Sequence, residues 1–151
     1  MMNTPNHNNI ADFFIQFAHD HGDCLTNLKL QKLVYYAQAW HLALYDKELF
    51  DADFEAWVHG PVCPSLYHRF KSFGWNPLSI QPDVVSLPSA IESHLVEVFK
   101  AYGEYSGYQL EEMTHKESPW RDARGNTPID ESSSAIIPKP AMKSYYALAA
   151  E

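Results

Sequence analysis

The chain of 151 residues is 46% hydrophobic, 20% charged and 14% aromatic, which excludes long intrinsic disorder and, with 6 glycines, fibrous repeats. Lys plus Arg number 11 against 19 Asp plus Glu, and the net charge of −8 disfavours broad nucleic-acid binding while attracting a basic protein partner. A chain of this size folds as one domain with roughly 8,000 Å² left accessible, and it needs no disulfide or metal staple.

Cys24 and Cys63 are too few for a disulfide framework and lack paired zinc spacing, so two reduced thiols are expected. No apolar run is long enough to span a membrane, and the N-terminus has no basic stretch followed by an apolar one. The expected location is the cytoplasm.

Residues 1–9 are polar and Asn-rich and read as a flexible arm, leaving 10–151 as a single domain without repeats or a dividing linker. From Ile10, the positions Phe13, Phe14, Phe17 and Ala18 follow the spacing of a helix with one buried face, which Gly22 ends. Thr26 stands where an N-cap belongs. The Gly- and Pro-free stretch Asn27–Tyr45 carries two apolar stripes. One holds Leu30, Leu33, Val34, Ala37, His41 and Leu44; the other holds Leu28, Tyr35, Ala39 and Leu42. A helix apolar on two faces forms the axis of a core. Lys29, Lys32 and Tyr36 remain as a narrow polar strip, read as a solvated edge or a partner contact.

Leu49-Phe50 and 54–58 flank the acidic Asp51-Ala52-Asp53 and predict a small hairpin turning at the acids. His59-Gly60-Pro61-Val62-Cys63-Pro64 follows as a rigid corner whose prolines forbid a continuing strand. Pro64 opens a helix with Leu66, Tyr67, Phe70 and Phe73 on its apolar face. A Pro-containing connector covers 75–85, and Pro88 opens the next helix, carrying Ile91, Leu95, Val98, Phe99 and Tyr102. Ser106 caps a shorter helix through Leu110 and Met113, and Ser118-Pro119 starts another with Trp120. A last helix carries Met142, Tyr145, Tyr146 and Leu148. The fold class is therefore mainly α: a single globular domain of about six helices around a central helix, with a small β hairpin.

No phosphate-cradling glycine loop, Gly-x-Ser-x-Gly elbow, His-Glu-x-x-His helix or Cys-x-x-Cys pair is present. No cofactor, metal or catalytic residue is assigned. Two pairings keep a hydrolase-type enzyme open as an alternative. His59 and Cys63 would form a nucleophile pair if the thiolate lay within reach of the imidazole. His115 and Glu117 resemble a general acid/base couple. Glu111, Glu112 and His115 share helical spacing that metal ligands use, although His115 and Lys116 equally suit a helix C-terminus.

Three stretches stand out together: residues 25–38 (LTNLKLQKLVYYAQ), 54–62 (FEAWVHGPV) and 114–120 (THKESPW). In order and spacing they resemble the Panacea domain of the SocA-like antitoxins, long labelled phage-associated or genetic-element proteins. The resemblance runs from about Ile10 to Tyr146. It implies a mainly helical domain that acts as an antitoxin in a toxin–antitoxin system by binding a cognate toxin protein directly. An adaptor role, in which the toxin is delivered to a cellular protease, is the alternative that the family offers. Some members carry DNA-binding modules, but this chain has no room for one, so no direct nucleic-acid contact and no membrane contact is expected. The family signature falls on Lys29, Gln31, Lys32, Leu33, Tyr35, Trp57, Gly60, Pro61, Val62, His115, Pro119 and Trp120. Trp57, Gly60, Pro61, Val62 and Pro119 are expected to be structural. Lys29, Lys32, Tyr35, Tyr36, His59, His115 and Trp120 are the expected partner contacts. The oligomeric state and the toxin are not implied.

Overall fold

The structure, a computed structural model, describes residues 5–150. In chain order it holds α1 (His7–Asp20), α2 (Asn27–Tyr45), β1 (Glu55–Trp57), β2 (Gly60–Val62), α3 (Pro64–Phe70) with one 3-10 turn (Lys71–Phe73), α4 (Ser89–Tyr102), α5 (Gly107–His115), α6 (Ser118–Arg124) and α7 (Lys139–Ala149). The mainly helical class with one small hairpin is confirmed, with seven α-helices among the described residues. The accessible surface is 8010 Å², as expected for one domain of this mass.

Helix boundaries follow local chemistry. Thr26 accepts the Lys29 amide and caps α2, and Ser106 with Gln109 forms a reciprocal capping box on α5. An equivalent box of Asn6 and Asn9 starts α1 at His7, three residues before the apolar pattern begins. Residues 7–9 of the expected arm thus lie in α1, and residues 1–4 lie outside the described residues.

Helix α2 is the axis: it packs against α1, α3, α4, α5, α7 and β2. Both stripes are buried over most of their length, but the end of the first is not: Leu44 is 54% exposed. Two glutamines seven residues apart fasten loops to the axis. Gln38 donates to Phe50 O (2.7 Å) and accepts from the Leu49 amide (2.7 Å), while Gln31 accepts from the Cys63 amide (3.0 Å).

The hairpin is not where the acidic turn placed it. Strand β1 pairs with β2 across a turn at Val58-His59, in the register Glu55↔Val62, Ala56↔Pro61, Trp57↔Gly60. Gly60 adopts φ +98°, which lets the chain reverse without a Cβ. Pro61 does not end the strand. Opposite it, Ala56 turns its amide away from β2, to Ala135 O (2.8 Å), and Pro61 turns its carbonyl away from β1, to Lys32 (3.2 Å). Pro61 therefore occupies a site in the pair where no inter-strand N–H is required. The other edge of β1 is closed by 135–137, through a bridge from Glu55 to Ile136 and the Ile137 amide bonded to Phe54 O (2.8 Å).

Candidate functional site

Several family-signature residues meet at the hairpin from inside, joined there by Arg124, which lies outside the signature. Three backbone carbonyls of the β1 strand and turn are each taken by a different side chain. Arg124 donates to Ala56 O (2.8 Å), Trp120 Nε1 to Trp57 O (2.8 Å) and His115 Nε2 to Val58 O (2.8 Å). The His115 ring stacks on Trp120 with centroids 4.1 Å apart, and the Arg124 guanidinium lies 4.7 Å over the same indole. Pro119 is buried in the first turn of α6 and helps set the helix that carries Trp120 and Arg124.

From the other side, Lys32 of α2 donates to Pro61 O (3.2 Å) and is 0% exposed. Burial lowers its pKa to about 7, with the Glu111 carboxylate offsetting part of the shift. Gly60 makes room for this side chain: a Cβ there would sit 2.5 Å from Lys32 Cε and 2.8 Å from Thr114 Oγ1. Val62 is buried on β2.

A second polar group lies deeper. The Glu117 carboxylate accepts from Tyr36 OH (2.9 Å) and Tyr146 OH (2.7 Å), and Tyr146 OH also approaches Tyr35 OH (3.2 Å). The Tyr36 ring stacks on Tyr102 at 3.9 Å, and Trp40 Nε1 donates to Tyr102 OH (2.7 Å). Burial holds the Glu117 carboxyl above the usual carboxylate range, and the two phenols offset part of that. Burial also raises the Tyr35, Tyr36 and Tyr146 hydroxyls above the usual phenol range.

The expected contact residues differ in how far they reach the surface. Lys32, Tyr35, Tyr36 and Trp120 are interior residues, because each has a polar tip that finds a buried partner while its stem or ring fills the core. Lys29 is largely covered and bonds to Gly103 O (2.6 Å), with Asp23 3.7 Å away. His115 is half-buried beneath the hairpin. Of the seven expected contacts His59 has the open side chain, 55% exposed, with its Nδ1 2.8 Å from Glu111 Oε1.

The two catalytic pairings are also separated by their partners. Cys63 is buried with its sulfur 3.7 Å from Ser65 Oγ, while His59 engages Glu111. His115 donates to a carbonyl, while Glu117 serves two tyrosines. Among the described residues, no three His, Cys, Asp or Glu side chains are grouped to hold a metal ion.

Sequence reasoning did not single out Gln38, Arg124 or Trp75. The first two carry a signal: a glutamine on an otherwise apolar helix, and an arginine one turn after a signature tryptophan. Trp75 carries none.

The fold and its inward-facing signature define a helical scaffold that holds a short hairpin rigidly and turns its Trp57-His59 side outward. The family model of the antitoxin SocA-like Panacea domain matches residues 30–121, and the chain belongs to that family. It is similar to the antitoxin SocA of Caulobacter vibrioides (strain NA1000 / CB15N), with 32% identity over 117 residues. That alignment covers 69% of this chain and 62% of the relative, so the chain spans less than two thirds of the relative's length. No solved structure matches the chain significantly. Among the described residues, no helix is long and apolar enough to cross a membrane.

Proposed function

We propose that this chain is a cytoplasmic antitoxin that neutralises a cognate toxin by direct protein–protein binding. The observation that carries the reading is the family match, which runs from the second turn of α2 to within α6 and so contains the hairpin with its clamps Lys32, His115 and Trp120. The architecture supports it in two ways. The polar signature residues are engaged in holding backbone, which suits a rigid presenting scaffold. The net charge of −8 would accelerate encounter with a basic toxin.

The test is to co-express the chain with the product of its adjacent gene, score growth, and purify on a tag carried by one partner. Growth rescue with a stoichiometric complex is the expected result. Rescue accompanied by toxin loss that requires a cellular protease would replace masking with delivery. Substoichiometric rescue without a complex would favour an enzyme. A neighbour that is harmless when expressed alone would remove the toxin–antitoxin reading.

A further inference from the structure

The outward side of the hairpin is a ridge with a hollow on each flank. One hollow, of about 600 Å³, is lined by Glu55, Trp57, Val58, His59 and Ser132–Ser134. The other, of about 270 Å³ and more enclosed, has Leu28, Tyr67 and Trp75 among its walls and shares Trp57 and His59 with the first. The walls are aromatic and ordered in pairs. Trp57 meets Tyr67 edge-to-face at 5.0 Å, and His59 meets Trp75 edge-to-face at 5.6 Å. Trp75 is 71% exposed.

The polar floor of the smaller hollow is already satisfied. Asn27 donates to Tyr67 O (3.3 Å), Gln31 joins Asn27 to the Cys63 amide, and Lys32 donates to Pro61 O. The floor therefore offers little to a polar small molecule, and recognition falls to the walls. Those walls favour a cation. Indole and phenol faces attract a guanidinium. On the other flank of the ridge, in the larger hollow, Glu55 adds a carboxylate that the Trp57 indole fixes at 2.9 Å, while the buried Glu111 carboxylate is engaged by His59 Nδ1. Among the described residues, Lys32 is the one lysine or arginine lining either hollow, and it is buried. The carbonyls beneath the ridge are held by Trp120, His115 and Arg124, so its shape is set before a partner arrives.

We infer that this ridge is the docking surface for a basic polypeptide segment, which places an arginine side chain against Trp57 and Trp75 and lays its backbone across the hairpin turn. The inference deepens the antitoxin reading and rests on it for the identity of the partner, the segment being part of the toxin.

The test has two arms. In the first, the full ¹⁵N-labelled chain is titrated with acetyl-Gly-Arg-Gly-Arg-Gly-amide while the four tryptophan indole signals are followed. The Trp57 and Trp75 signals should move, the buried Trp120 signal should stay, and added salt should weaken the effect. Citrulline or glutamate in place of arginine should abolish it, and Trp75→Ala with Glu55→Gln should weaken binding about fivefold or more. No movement at millimolar peptide, or equal movement with citrulline, overturns the inference. In the second arm, the complex with the adjacent gene product is measured with the same double variant. A complex that forms and loses less than about twofold in affinity overturns the ridge and leaves the antitoxin reading standing. If no complex forms, the antitoxin reading falls, and the peptide arm alone decides the ridge.

Discussion

Gly60 combines a positive φ with a crowded site. Its φ of +98° is unfavourable for any side chain, and a Cβ would lie 2.5 Å from Lys32 Cε. Gly22 provides a matched control, because it has φ +78° with nothing within 4 Å of a Cβ. Gly22→Ala should cost about 1 kcal/mol, from backbone strain alone. Gly60→Ala should cost about 3 kcal/mol, since the clash adds to the strain. The difference in urea unfolding midpoint between the two variants measures the crowding, and equal midpoints would show that Lys32 and Thr114 move aside freely. At this scale the sequence was legible where a residue has few options: a Gly-Pro pair shapes a corner wherever it stands. Lys32 was not legible. A lysine's ordinary place is in water, and what draws this one inside is a carbonyl 29 residues away together with the space that Gly60 leaves.

The elements divide in the same way. Helices announce themselves through spacing and caps, which are local, and the centrality of α2 followed from its two apolar stripes. The hairpin does not announce itself, because its strands are short and are stabilised from outside. Its turn lies at Val58-His59 rather than at the acids because the carbonyls there meet α5 and α6. That dependence can be tested. Trp120→Phe keeps an aromatic ring against His115, removes the N–H that reaches Trp57 O and leaves a small cavity where the rest of the buried indole stood. The variant should lose about 2–4 kcal/mol, from the buried carbonyl left unpaired together with the cavity. It should also speed amide hydrogen exchange across Glu55–Trp57 and Gly60–Val62 more than in α1, which lies elsewhere in the fold. Uniform acceleration across all elements would mean that the hairpin has no separate stability. Where the signature residues sit was not legible for a related reason. Sequence shows which residue types recur together, but burial decides whether their polar tips face a partner or a neighbouring carbonyl.

Over the whole molecule, the buried polar groups set a pH profile that surface charge alone would not produce. The Lys32 amine has a folded pKa of about 7 against an ordinary 10.5. Between those values the unfolded chain holds a proton that the folded chain has released. Stability therefore rises with pH across this window, and the full cost of burying the charge is felt below it. The tyrosines act with the opposite sign. Burial raises the Tyr35, Tyr36 and Tyr146 hydroxyls above their ordinary 10.0, so their contribution is intact below pH 10 and is lost as pH climbs beyond it. The combined contribution of these four groups peaks just short of pH 10. Lys32→Met keeps most of the stem's packing and removes the titrating amine. Relative to that variant, the native chain should gain about 3 kcal/mol between pH 7 and pH 9.5, read from urea unfolding at each pH. Above pH 10 both chains should weaken together, because the tyrosine cluster is common to both. Parallel profiles between pH 7 and 9.5 would show that the amine keeps its proton in the fold, and the bond to Pro61 would then be a charged one.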